Sequence, residues 1–426
     1  MSAKAACTPP RGTLRLLVDP RFGTFFWGKL FWATGIWIHG IVAAIVVYEG
    51  TRSTLVVGAV GAAQFGPQLL LSPLAGKLAD RNGAKAQIVL GESLCAVGSG
   101  AVGVWLLAVD DADPGHVAWG VVLSSLIVGI GLAIGGPAGQ SIVPSLLRRG
   151  ELATGIELNT LPMTLSRVAG PAIGAFLLAY AGAGAAFCVA AAASAAFVAM
   201  VVWIRVPVRA DAEMKHDFRI RAALRFIQTD TALVALLVGV AAVGVGADPS
   251  TTLAPAMVEV LHGDATWVGQ LTAAFGAGAA LGFSLLPTLR HRLDLARLPS
   301  LGLVLMGLGL GASATIVSRM VVVGAFGVAG VGMTIALTSM STQIHLRTPD
   351  ALRGRVMAIW MAGFLGARPV AALVSGLLSD AVSVWSALLL TAAAVLVAAW
   401  LCRPTVVARH DAGRSVGGSP TGRAPG

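Results

Sequence analysis

The chain has 426 residues, 56% of them hydrophobic and only 12% charged, with a mean hydropathy of +0.82. A soluble domain carries about 25% charged residues because its surface faces water, so a soluble globular protein is excluded. The formal net charge of +10 lies in short segments between long apolar blocks, which excludes a basic surface built to hold nucleic acid.

The blocks predict twelve transmembrane helices, at 22–48, 53–75, 86–109, 117–143, 157–181, 184–204, 231–255, 267–288, 299–317, 320–344, 356–379 and 382–402. Each reaches the roughly 20 residues needed to cross ~30 Å of hydrocarbon at 1.5 Å per residue. No ~10-residue alternating segments suggest a β-barrel. The first block is too long for the core of a signal peptide and holds Lys29 and His39, so it reads as a retained span. Tight turns are expected at Glu49–Arg52 and Gly182–Ala183.

The expected organisation is a cytoplasmic segment at 1–21, a six-helix bundle at 22–204, a cytoplasmic linker at 205–230, a second bundle at 231–402 and a disordered cytoplasmic tail at 403–426. Within the linker, Phe218, Ala222 and Phe226 have helical apolar spacing and predict an amphipathic helix on the inner leaflet. Of the 30 Lys and Arg residues, 25 fall on one set of segments, 2 (Arg52 and Arg319) on the other and 3 within spans, while Asp110, Asp111 and Asp113 gather on the arginine-poor side. The positive-inside rule then places both termini in the cytoplasm of a multi-pass protein of the cell membrane.

Charges within spans cost ~2.5–3.5 kcal/mol each and mark function or pairing. Arg167 and Arg368 lie near the middle of spans five and eleven, in corresponding places of segments 152–176 and 352–376, which look alike. Asp248 precedes Pro249 and is the foremost candidate for carrying a proton. Glu92 is a further candidate, expected to pair with the loop between spans two and three. Lys29 is expected to snorkel to the headgroups. Lys29, Trp32, Ile36 and His39 share one face of span one. The four cysteines, Cys7, Cys95, Cys188 and Cys402, are scattered without a paired motif. With no metal-ligand cluster, no phosphate-cradling loop and no nucleophilic triad, neither cofactor, metal nor enzyme activity is expected.

The loop Gly76-Lys-Leu-Ala-Asp-Arg-Asn-Gly-Ala-Lys85 resembles the signature loop of the major facilitator superfamily, matching at Gly76, Leu78, Ala79, Asp80, Arg81, Gly83 and Lys85, with Ala84 where a basic residue is usual. Gly170, Pro171 and Gly174 are similar to the fifth-span motif of the superfamily's drug/proton antiporters, with Ser166 and Ala175 replacing two glycines. The stretch from Pro144 through Asn159 and the run Leu352-Arg-Gly-Arg-Val-Met357 resemble the siderophore and secretion exporters, the enterobactin-exporter-like branch. Span four lacks the intramembrane arginine of many proton-coupled drug antiporters.

These resemblances imply an all-α fold of two pseudo-symmetric six-helix bundles. They also imply a conformational latch at Gly76, Asp80, Arg81, Gly83 and Lys85 and a gate kink at Gly170, Pro171 and Gly174. Spans one and seven would line the cavity, making Trp32, Ile36, His39 and Asn159 substrate candidates and Asp248, Arg167, Arg368 and Glu92 coupling candidates. The expectation is a monomeric secondary transporter that exports small amphipathic organic compounds (drug, siderophore-like or lipid-like) against protons, in a lipid bilayer. The rivals are uptake of a polar nutrient and a non-transporting receptor or assembly protein of the same fold.

Overall fold

The structure, a computed structural model, describes residues 12–109, 113–148, 150–204, 220–315 and 318–408. At 72–82, 153, 220–221 and 350–351 only the backbone is described, so the side chains of Asp80 and Arg81, the far terminal segments and most of the linker lie outside the described residues. Every regular element among those residues is helical. This is what a bilayer demands, since a helix satisfies its backbone polar groups within itself.

In chain order the helices are α1 (Thr13–Leu17), α2 (Phe22–Thr51), α3 (Thr54–Ala108), α4 (Pro114–Ser141), α5 (Val143–Leu146), α6 (Leu152–Trp203) and α7 (Ile220–Thr229). There follow α8 (Thr231–Ala247), α9 (Ala254–Val260), α10 (Ala265–Arg292), α11 (Leu298–Thr315), α12 (Arg319–Arg347), α13 (Asp350–Ala381), α14 (Val384–Leu401) and α15 (Pro404–Val407). Eleven stretches are long and apolar enough to cross a membrane, and one of them, Thr154–Trp203, is 50 residues long. That one is broken at Gly182 (φ 82°, ψ 170°), so it makes two passes and the crossings number twelve among the described residues. The backbone at Gly182 is open almost only to glycine. Gly83 (φ 76°, ψ 150°) divides α3 in the same way.

Helix starts follow from capping chemistry. Asp113 accepts from the Gly115 and His116 amides ahead of Pro114, and Asp230 accepts from those of Ala232 and Leu233. Ser53 and Ser383 cap α3 and α14 in the same manner. Each occupies amides that have no partner inside the helix.

The chain forms two compact units. The first comprises Met1–Met214 with Ala254–Ala273, the second Lys215–Leu253 with Ala274–Gly426. In the first, α2 lies against both arms of α6. Gly28 and Gly35 let it approach Phe197, Met200 and Ala190 of the second arm, while Gly170 and Gly174 let the first arm meet Trp37, Ile38 and Ile41. The core includes Phe22, Phe25, Phe26, Trp32, Ile88, Leu132 and Phe197. Arg52, the left-handed residue that ends α2, bonds to Glu259 of α9. In the second unit α8 packs against α13, α12 and α14. Arg347 pairs with Asp230 at 3.9 Å and donates to the Val407 carbonyl of α15.

The linker helix forms as α7, with Ala223 and Ile227 buried against α8 and α13 and Ala222 exposed. One expectation needs correction. Span seven is not one helix to residue 255. α8 stops at Ala247, a 3₁₀ turn spans Asp248–Ser250, and α9 begins at Ala254.

Candidate functional site

The second unit places a carboxylate at a break in a membrane helix. Pro249 has no amide hydrogen and cannot continue the α8 ladder. The chain turns there with its polar groups satisfied locally. The Asp248 carbonyl accepts from the Thr251 amide at 2.9 Å and the Thr252 amide at 3.1 Å, and the Ala247 carbonyl accepts from the Ser250 hydroxyl at 2.9 Å. The Asp248 side chain, 3% exposed, accepts from Thr252 Oγ1 at 3.0 Å through Oδ1 and meets Ser375 Oγ at 3.2 Å through Oδ2. Gly244, one turn earlier, lets α8 approach the Phe364 carbonyl and Ala367 of α13. That brings Arg368, 7% exposed, within electrostatic reach of Asp248.

Ser375 has one proton and two acceptors of interest. Its Oγ lies 2.7 Å from the Ala371 carbonyl and 3.2 Å from Asp248 Oδ2. An ionised Asp248 accepts a hydrogen bond from the serine hydroxyl. A protonated Asp248 instead donates to Ser375 Oγ, whose own proton turns to Ala371. Both protonation states of the carboxyl are therefore hydrogen-bonded without movement of the backbone.

Arg167 is not part of this group. It lies in the first unit, over the ring of Trp37 at 5.3 Å from the centroid, an attractive cation–π arrangement. Beside it, Ser166 Oγ is 2.9 Å from Thr34 Oγ1 and 3.2 Å from the Leu30 carbonyl. Lys29 does not snorkel. It is 5% exposed and donates to Asn159 Oδ1 at 2.8 Å and to the Asn159 carbonyl at 3.2 Å. Asn159 Nδ2 in turn donates to Gln140 Oε1 at 2.6 Å. A close pair of carbonyl acceptors seven residues into α2 outweighs the stretch to the headgroups.

Glu92, 2% exposed, sits in the core with Trp32, Cys95 and Lys29 within electrostatic reach. His39 is fully buried, its ring nitrogens 3.0 Å from Ser99 Oγ and 3.1 Å from Ser125 Oγ, with Phe187 against its ring. Ile36 and Trp32 belong to the packed face of α2 around that core. Gly170, Pro171 and Gly174 keep helical backbone within α6, and their small surfaces seat α2. In the loop resembling the superfamily signature, Lys85 donates to the Val202 and Ile204 carbonyls, each at 2.8 Å, and so caps the end of α6.

The partners missing from the sequence reading are Thr252, Ser375, Gln140 and Trp37. Thr252 lies four residues beyond Asp248 and Ser375 seven beyond Arg368, both spacings that return to one helical face. Trp37 stands one position off the face defined by Lys29 and Ile36. Among the described residues no cluster could hold a metal ion.

A sequence model of the transmembrane secretion effector family matches residues 12–417. An enterobactin exporter of Escherichia coli is 27% identical over 356 residues, 82% of each chain, and so is the corresponding protein of Shigella boydii. Among solved structures, the nucleoside transporter NupG superposes with a TM-score of 0.69 at 13% identity, covering 89% of this chain and 97% of that one. A bacterial homologue of the human lysosomal transporter Spinster, inward-facing and unoccupied, gives 0.70 at 16% identity over 92% and 98%. A D-xylose–proton symporter gives 0.70 at 15% identity over 89% and 95%.

Proposed function

Because the chain belongs to the transmembrane secretion effector family of major facilitator transporters, we propose that this membrane transporter is a proton-coupled exporter of small amphipathic organic compounds. It works by alternating access in the cell membrane, with both termini in the cytoplasm. The relatives named as enterobactin exporters support outward flux and an organic substrate.

The observation that carries the coupling is the buried Asp248 carboxyl, with a hydroxyl on each oxygen and Arg368 beside it. A carboxyl that is bonded in both protonation states takes up and releases a proton without leaving a buried polar atom unpaired. A nearby substrate charge then decides which state prevails, so proton and substrate exchange at one group.

The test uses full-length protein in proteoliposomes with an imposed pH gradient, fluorescent amphipathic dyes as probes and a trapped pH indicator. Wild type is expected to move dye in proportion to the gradient, with a matching proton flux. Asp248→Asn is expected to lose gradient-driven movement and keep dye exchange at uniform pH, since the amide mimics the protonated acid. Undiminished gradient-driven flux in that variant refutes the assignment.

A further inference from the structure

A second carboxyl lies in the core of the first unit and takes no part in the coupling at Asp248. Glu92 of α3 is 2% exposed, and its Oε2 is buried without a hydrogen-bond partner. Its position is fixed on one side, where α3 and α4 touch through Gly91, Gly131 and Gly135. A methyl group on Gly135 would stand 2.7 Å from Glu92 Oε1. Cys95, one turn on, gives its thiol proton to the Val128 carbonyl at 3.6 Å. Lys85, two turns back, is taken by the carbonyls that end α6. α6 reaches this level through Phe197, which packs on Trp32, and through Asn159, which holds Lys29. Farther along α2, Arg167 stands over Trp37 and both His39 ring nitrogens lie against serines. The titratable groups acting on Glu92 are Lys29 from α2 and Cys95 from its own helix.

Lys29 is the cation placed to reach the unbonded oxygen. Its ammonium gives two of three N–H groups to the Asn159 carbonyl and Oδ1, at 3.2 and 2.8 Å, and keeps one. A buried carboxylate needs a counter-charge bonded to it, and a neutral carboxyl does not. With Lys29 on Asn159, the arrangement matches a Glu92 that carries its own proton. Without that proton, rotation of the flexible lysine stem brings an N–H to Oε2 and releases Asn159. Each protonation state then has its own arrangement, reached through side chains alone. The bonds from Lys29 to Asn159 and from Asn159 to Gln140 run on to an exposed side chain, so the exchange is felt at the surface of the unit.

We propose that Glu92 is a second proton-binding site, with Lys29 as the counter-charge that replaces the proton. On release the carboxyl O–H bond breaks and the proton passes to water. Lys29 stays an ammonium and exchanges an Asn159 oxygen for Glu92 Oε2. The use of this site in transport rests on the reading of the chain as proton-coupled, to which it adds a second exchanging group in the half that lacks Asp248.

Infrared spectroscopy reads protonation without transport. Full-length protein in dodecyl maltoside, which has no carbonyl group, is taken through a pH cycle while difference spectra follow the C=O stretch of protonated carboxyls. In Asp248→Asn protein a carboxyl band is expected to be lost and regained across the cycle, and adding Glu92→Gln should remove it. Adding Glu157→Gln instead, on an exposed side of α6, should leave it in place. Lys29→Gln should shift the carboxylate band that replaces it, and Lys29→Arg should not. If Glu92→Gln yields no folded protein, the two Lys29 variants decide. In proteoliposomes with Asp248 intact, Glu92→Gln should lose one of the two protons moved per cycle, read as protons per dye. A band untouched by Glu92→Gln, a band that persists at every pH at which the protein stays folded, or equal spectra for Lys29→Gln and Lys29→Arg overturns the site. An unaltered proton-to-dye ratio overturns its part in transport. Failure of the Asp248 assignment would show in gradient-driven flux and leave the Glu92 band as it is.

Discussion

Around Asp248 the hydroxyls are not equivalent. Thr252 Oγ1 has the carboxylate as its acceptor at 3.0 Å, whereas Ser375 divides one proton between Asp248 and the Ala371 carbonyl. Thr252→Val is therefore expected to remove a full hydrogen bond to a buried charge, about 1.5–3 kcal/mol, while Ser375→Ala costs less. Thermal unfolding of purified protein, followed by tryptophan fluorescence, ranks the two. The reverse order would mean that Ser375 donates to the carboxylate rather than to Ala371. Arg368 lies within electrostatic reach of Asp248, and the two are expected to act as a pair. Removing one partner of a buried ion pair costs about 3–5 kcal/mol, because the other is left uncompensated. Arg368→Gln alone should lower the yield of folded protein, and adding Asp248→Asn should recover it. Equal yields in the single and double variants would mean that the two charges do not interact. Asp248, Arg368 and Arg167 were legible as intramembrane charges that need a reason. Which arginine serves the carboxylate was not legible, because Gly244 decides it by letting α8 close on Phe364 and Ala367. Nor was the burial of Lys29, which depends on Asn159 arriving from 130 residues away.

At the scale of elements, length and hydropathy gave the twelve crossings, but the breaks have local causes. Gly182 was readable as a turn because only two residues separate the predicted spans, and its φ of 82° explains why glycine occupies it. Gly182→Val is expected to cost roughly 1–3 kcal/mol, since a β-branched side chain is strained there. A fluorescence-detected melting curve should fall accordingly, and an unchanged curve would mean that the two arms can join another way. The interruption after Ala247 was only half visible. Pro249 marks it, but continuation through α9 to Val260 does not follow from the apolar run. Lys85 was expected as part of a latch and is also a helix cap. Lys85→Ala frees the Val202 and Ile204 carbonyls and should speed hydrogen exchange at the end of α6, whatever it does to flux.

Across the whole molecule the two halves repeat an arrangement with one substitution. In each unit the arginine of the half's fifth span faces the half's first span. Arg368 lies within electrostatic reach of Asp248, and Arg167 lies over the ring of Trp37. A carboxylate thus lies near the arginine in one half and an indole ring in the other, a difference legible only once the facing helices are paired. Orientation is testable at this scale. In a variant lacking the four native cysteines, a cysteine at Ser145 should resist an impermeant thiol reagent in intact cells, and one at Asp113 should react. The opposite labelling would invert the topology.

The chain turns back between α2 and α3 through Arg52 and Ser53 alone, and at Gly182 it reverses within what is otherwise continuous helix. A protease must draw several residues of extended chain into its cleft, and a reversal this short has none to give. With Arg52 also held by Glu259, trypsin added to whole cells should leave the first half uncut. Trypsin added to inverted vesicles should divide the chain at the basic 205–230 linker and release two fragments of similar size. On the proposed orientation both reversals lie on the outer face, where turns this short leave an antibody little to hold.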